Sequence, residues 1–249
     1  MASPDSTPGQ PLATGLPTDP DMDSDALTAQ LRKLPLLSLD DAALTLGRLS
    51  GPSVNVLGAG FDVTTQTGVF DVTRSDPRFE GLMAYAHIDR YQRYLQGLGF
   101  RGAAAVHSAS VDVLADGAQG YDNSFYYPFA DIIVYGSGGV DDAEDAEVVL
   151  HEYGHAIQWD QVPAFGTTGE AAAVGEGFGD FQAAAYEART SGGFGDAFFA
   201  EWEWSSKVPA GKSGMSRREA STGSTKEYGD EDETGGGLEL ALRGRSGDG

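Results

Sequence analysis

Between about Phe79 and Leu98, apolar residues recur at spacings of four and three, at Ala84, Ile88, Tyr91, Leu95 and Leu98, which predicts one long helix with a single apolar stripe turned to a core. Gly97 and Gly99 are its stop signals. The period then changes. RGAAAVHSASVDVLADG reads as a strand closed by Asp116-Gly117, and DNSFYYPFADIIVYGSGG as two extended pieces around Pro128, with Ile132, Ile133 and Val134 buried. A second helix is predicted from near Asp141 to about Asp160, ahead of Pro163, because Asp141 and Glu144 have capping-box spacing and Asp142 and Asp145 place negative charge at the positive end of the dipole. Thr167 and Glu170 repeat that spacing before a third helix, AAAVGEGFGDFQAAAYEAR, so the last two elements form a helical hairpin.

The flanks read differently. Residues 1–24 are rich in Pro, Ser, Thr, Gly and Asp, the composition of a tail or linker. In residues 25–75, DALTAQLRKL and LDDAALTLGRL suggest short helices while SVNVLGAGFDV and GVFDV alternate like strands, which fits a remnant of a preceding domain. Residues 205–249 are mostly small and charged without apolar periodicity, and a low-complexity tail with little fixed structure is expected there. The pattern as a whole predicts an α+β fold, with an antiparallel or mixed sheet packed against the second helix and the third helix following it.

Composition narrows the chemistry. The chain of 249 residues carries 38 acidic against 16 basic side chains, a net charge of -22, which argues against nucleic acid as a partner because phosphate binding needs clustered Lys and Arg. There is no Cys, which excludes disulfides, thiolate metal sites, iron-sulfur clusters and Cys nucleophiles, so a metal site must use His and carboxylates. No run approaches the length of a membrane span, and the first 25 residues have neither a basic n-region nor an apolar h-region, so neither a membrane partner nor a signal peptide within this chain is expected.

His151-Glu152-Tyr153-Gly154-His155 is an HExxH motif inside the second predicted helix. Histidines four apart leave one helix face, so both imidazoles reach a single zinc, and the intervening Glu152 can take a proton from zinc-activated water. A third His at position 161 is absent, since Gln158 and Gln161 occupy the Gly and His places of the longer HExxHxxGxxH pattern. The downstream carboxylates are Asp160, Glu170, Glu176, Asp180 and Glu187. Glu176 is the choice for third ligand, with Asp180 four residues on along the same face as hydrogen-bond acceptor for a ligand imidazole. Glycines 175, 177 and 179, each costing about 0.8 to 1 kcal/mol inside a helix, point to close approach of two helix backbones, against the simpler reading of fraying near residue 175.

With HEYGHAIQ followed by GEGFGDF, the chain resembles the thermolysin-like Glu-zincin metallopeptidases, in the style of the fungalysin branch. The resemblance covers roughly residues 80–190 and marks residues 76–204 as the catalytic domain. It implies zinc held by His151, His155 and Glu176, Glu152 as general base, and Asp180 supporting a histidine. It extends to Asn123-Ser124-Phe125-Tyr126, similar to the family's active-site edge strand, where the Asn and the next residue's main chain hold a substrate peptide by strand addition. Peptide or protein substrates and a secreted setting follow from the resemblance alone.

The chain departs from that family in two ways, in its histidines and in the stretch after Trp204, which does not look like the family's C-terminal helical lobe. No His follows His155 to stabilise the oxyanion, so Tyr186, Arg189 or Tyr228 would serve, or the C-terminal lobe is truncated or altered. The expected function is zinc-dependent endopeptidase hydrolysis; the alternatives are a catalytically silent zinc- or peptide-binding module and an amidase of a non-peptide substrate. His87 and His107 receive no role, and Tyr85, Tyr91 and Tyr94 read as packing residues. DDAED offers carboxylates of the kind that bind Ca²⁺, although helix capping accounts for them without an ion.

Overall fold

The computed structural model of the chain describes residues 34–58, 70, 72–121, 123–138, 140–166 and 168–190. The expectations for 1–24 and 205–249 lie outside them, as do Thr167 and most of DALTAQLRKL. A four-residue helix α1 (Asp41–Leu44) opens the described chain, held by Asp40, whose carboxylate accepts from the backbone N–H of Ala42 and Ala43. The strands β1 (Leu49–Ser50) and β2 (Val54–Val56) pair antiparallel. Helix α2 (Phe79–Gly97) then crosses to β3 (Val111–Leu114), which lies parallel to β2. A hairpin of β4 (Phe125–Tyr127) and β5 (Ile132–Val134) completes a mixed sheet of order β1-β2-β3-β5-β4, with β5 parallel to β3 and β4 antiparallel on the outer edge. The helices α3 (Ala146–Gln161) and α4 (Gly169–Thr190) follow, packed as a hairpin. This is an α+β architecture.

Period-two alternation explains why the sheet has one wet and one dry face. Val54, Val56, Val111 and Val113 are buried, while between them Asn55 donates to the Asp112 carboxylate at 2.7 Å on the opposite face. The dry face meets α2, whose Phe79, Leu82, Met83 and Ile88 are fully enclosed. Residues 49–56 therefore belong to this sheet and its core; their alternation comes from pairing with β3, and not from a core of their own.

Two expected boundaries move for local reasons. Helix α3 starts at Ala146, because Asp145 accepts from the N–H groups of Glu147 at 2.8 Å and Val148 at 3.3 Å, while Asp142–Glu144 forms a separate 3-10 turn. Helix α4 starts at Gly169 with Thr168 as its cap, the hydroxyl accepting from Ala171 N–H at 3.4 Å. Leu98, counted in the apolar stripe of α2, is 56% exposed, since it caps the helix beyond its last full turn. Fraying near residue 175 is not seen; α4 runs through it.

The acidic DDAED stretch is internal. Glu144 is fully buried and takes an ion pair from Arg74 at 2.5 Å, and Glu80, Asp141 and Glu144 bring carboxylate oxygens within 4.8 Å of one another. Arg74 supplies positive charge to that group. Among the described residues no helix is long and apolar enough to cross a membrane.

His87, on α2, is buried with no hydrogen-bond partner for its Nε2, beside a small cavity that Glu147 and Glu187 also line. Burial first, and the Arg90 charge second, lower its pKa from 6.5 to about 4. The unfolded chain takes up that proton near pH 6.5 and the folded chain only near 4, so stability falls as the pH drops between those values. Urea unfolding of the parent and of His87→Leu should show a gap that shifts against the parent by up to about 3 kcal/mol between pH 7 and pH 4. A gap independent of pH would show that His87 keeps an ordinary pKa in the fold.

Candidate metal centre

The site is built on the seam between α3 and α4. His151 and His155 leave the same face of α3 one turn apart, and Glu176 comes from the second turn of α4. Their donor atoms converge within 4.8 Å of one another. His155 Nε2 lies 3.2 Å from His151 Nε2, His151 Nε2 lies 3.0 Å from Glu176 Oε2, and His155 Nε2 lies 3.5 Å from Glu176 Oε1. Ligands about 2.0 to 2.1 Å from one zinc at tetrahedral angles sit roughly 3.3 Å apart, so this spacing fits that ion. The donor chemistry fits as well, two neutral imidazoles and a carboxylate being a catalytic-type set that leaves a fourth position open.

Asp180 fixes the first ligand. Its carboxylate accepts from His151 Nδ1 at 2.8 Å, which turns Nε2 toward Glu176. Burial pulls the pKa of His151 down, but Asp180 and Glu176 on either side of the ring outweigh it and hold the value well above 6.5. Glu176 shows the converse: burial would raise its pKa, and the hydrogen bonds from His151 and His155 lower it.

Glu152 stands apart from these pairs. It is 2% exposed, one carboxylate oxygen has no hydrogen-bond partner, and burial raises its pKa against the opposing pull of His155 and His151. Nearby, the fully buried Tyr135 donates its hydroxyl to Val149 carbonyl at 3.1 Å and ties β5's end to α3. A buried carboxylate with a raised pKa beside convergent metal-type donors marks a candidate functional group.

The close approach expected from the glycines is seen at Gly154 and Gly179. A Cβ on Gly179 would stand 2.8 Å from His151 Nδ1, and one on Gly154 would stand 2.5 Å from Gln182 Nε2 and 3.1 Å from the Cα of Gly179. The two helices touch through their glycines, and the His151 ring lies against the α4 backbone. Gln182, which sequence reasoning missed, sets the register: its Nε2 donates to Leu150 carbonyl at 2.5 Å and its Oε1 accepts from Tyr91 at 3.1 Å. Its position one turn beyond Gly179 was the available signal.

Asn123 and Ser124 lie at the start of β4, on the sheet edge beside α3. Asn123 is half-buried; Ser124 is buried, donating to Asp142 at 2.6 Å and accepting from Gly136 N–H at 3.1 Å. Its side chain thus anchors the strand, and a role toward a peptide would fall to its main chain. The candidates for the oxyanion group are engaged elsewhere. Tyr186 packs edge-on to Tyr91 at 5.2 Å and Arg189 lies 5.5 Å over the Tyr94 ring, while Tyr228 lies outside the described residues. Tyr85 and Tyr91 are buried and Tyr94 joins their cluster, as packing residues.

A Gly179→Ala chain should fold with His151 displaced and its zinc affinity reduced by about 10- to 100-fold, as expected when the support of a ligand is disturbed. Chelator competition measures this directly. Gly169→Ala, where a Cβ meets nothing within 4 Å, is the control and should bind zinc like the parent. Equal affinity in Gly179→Ala would mean that the seam tolerates a methyl group and that the glycine contact does not position the ring.

No protein-family model matches the sequence and no curated protein matches it.

Proposed function

We propose that the chain is a zinc-dependent metalloendopeptidase. One observation carries the reading: the convergence of His151, His155 and Glu176 at tetrahedral spacing beside the buried, partly unpartnered Glu152. His151, His155 and Glu176 would hold the ion. Zinc bound there supplies a Lewis acid that polarises a carbonyl and acidifies water. Glu152 then accepts the proton of the attacking water and returns it to the leaving amine. Asp180 keeps His151 in the tautomer and orientation that the metal requires. Among the described residues no strand lies beyond β4, so its outer edge would be open to an extended peptide, with Asn123 offering an amide.

The resemblance to thermolysin-like enzymes supports this assignment and adds the secreted setting. The second reading, a zinc- or peptide-binding module without turnover, is favoured by Tyr186 and Arg189 facing the Tyr94 cluster instead of the donor set. The retained Glu152 favours the enzyme, since a purely structural site has no need of a base.

Plasma mass spectrometry of the purified chain should find one zinc, lost in His155→Ala and Glu176→Ala and kept in Glu170→Ala and Asp160→Ala. Zinc retained in Glu176→Ala but lost in either of the last two would remove Glu176 from the ligand set. On a quenched fluorescent peptide, Glu152→Gln should keep the metal and lose about 100- to 10,000-fold in turnover. Equal rates in Glu152→Gln and parent would remove Glu152 from the mechanism, and a zinc-loaded parent that binds the peptide without cutting it would decide for the binding module.

A further inference from the structure

His107 has backbone φ of +43° and Asp131 has φ of +50°, the left-handed region that costs an ordinary side chain energy. These two residues, twenty-four apart in sequence, are joined by a single hydrogen bond, His107 Nε2 to Asp131 Oδ1 at 3.0 Å. Asp and His enter that region more readily than most residues, and here the surroundings hold both of them in it.

The surroundings do so from three sides. Asp131 ends the turn between β4 and β5, and its Oδ1 also accepts from the hydroxyl of Tyr126, the middle residue of β4, at 2.9 Å. The backbone N–H of His107 donates to Asp160, in the last turn of α3, at 2.8 Å. Gln92 of α2 donates to the carbonyls of Val106 at 2.8 Å and His107 at 3.3 Å, and accepts from Tyr153 at 3.1 Å. The ring of Tyr153, the third residue of HEYGH, stands edge-on to the His107 ring at 5.4 Å. His107 is 3% exposed, and in this group it is the residue bonded both to the β4–β5 turn and to α3.

We infer that His107, through Asp131, is a positioning residue that sets the height of edge strand β4 against the helix carrying His151, Glu152 and His155. The inference rests on the peptidase reading for its consequence: β4 is the strand a substrate would add to, so its placement governs how an extended peptide presents its scissile bond to the donor set. The clamp itself is a property of the fold. Loss of the His107 ring frees the turn, and with it Tyr126 and the strand, while the α3–α4 seam, held by Gly154, Gly179 and Gln182, keeps its geometry.

The test uses the zinc-loaded full chain and four variants, His107→Ala, His107→Asn, Asp131→Ala and Asp131→Asn. Asn adopts positive φ readily, so His107→Asn removes the ring without adding backbone strain, and Asp131→Asn keeps an acceptor oxygen for His107 and Tyr126. Amide exchange read by mass spectrometry should rise in peptides spanning residues 125–134 in His107→Ala, His107→Asn and Asp131→Ala, stay near parent in Asp131→Asn, and stay unchanged at 146–161 and 169–190. For a peptide long enough to span β4, KM should rise about tenfold in the three disrupting variants with kcat changed less than about twofold. A uniform rise in exchange over sheet and helices, or parent-like exchange at 125–134, overturns the clamp. Local loosening with KM unmoved shows that His107 serves stability alone, which overturns the positioning role. If the parent neither binds nor cuts peptides, the peptidase reading fails, and the exchange pattern alone decides whether His107 sets β4.

Discussion

Everything chemical in this molecule depends on how closely α3 and α4 approach. Two helices normally meet through side chains with their axes about 8 to 10 Å apart. Here Gly154 faces Gly179, and the space a side chain would fill is given to an imidazole ring and the amide of Gln182. With the helices in that contact, Glu176 reaches the same point as His151 and His155, and Asp180 reaches the far nitrogen of His151. Glycine is unfavourable in helix interiors, so the remainder of the fold supplies the stability that these positions withhold. The packing of Tyr91, Tyr153, Leu150 and Ala183 around the seam is where it does so.

Charge follows the same logic. A chain with a net charge of -22 has many carboxylates to spare for its surface, yet a number of them are inside. Glu144 is matched there by an arginine, Asp145 by the open N–H groups of a helix start, Asp142 by a serine hydroxyl and Asp180 by an imidazole. Glu152 differs, because no arginine, hydroxyl or helix start among the described residues is matched to it, and one of its oxygens is buried without a hydrogen bond. That is costly for a structural residue and useful for one that must exchange protons.

Much of this is legible in the chain. HExxH spacing is a local, helical relation, and so is Glu176 to Asp180; residues four apart on a helix share a face whatever the tertiary context. The long helix from Phe79 shows itself because its apolar spacing repeats turn after turn. What escapes is relational. Gln182 joins α4 to α3 and α2, and its one local cue, a place one turn beyond Gly179, gains meaning only once the contact of the two helices is known. His107 gathers partners from α2, α3 and the β4–β5 turn, and its importance lies in backbone angles that no apolar pattern encodes. Asp141 reads as the cap in place of Asp145, since Asp141 has Glu144 three residues on while Asp145 has Val148 there, and the true cap is seen only in the path of the chain. The strands at 49–56 read as part of another unit because their partner lies more than fifty residues downstream.

HEYGH has no idle letter. Its two histidines belong to the donor set with Glu152 buried beside them, Tyr153 faces backward to Gln92 and the His107 ring, and Gly154 faces sideways to α4. Little more than one turn of helix thus serves three directions at once. A designer who grafted the two histidines and the glutamate onto another helix would move the ligands without the flat side that admits a second helix or the anchor that stops the first from rolling. The portable unit is the pentapeptide together with Glu176, Gly179, Asp180 and Gln182 of its neighbour, and a recipient scaffold would have to provide that second helix in the same contact.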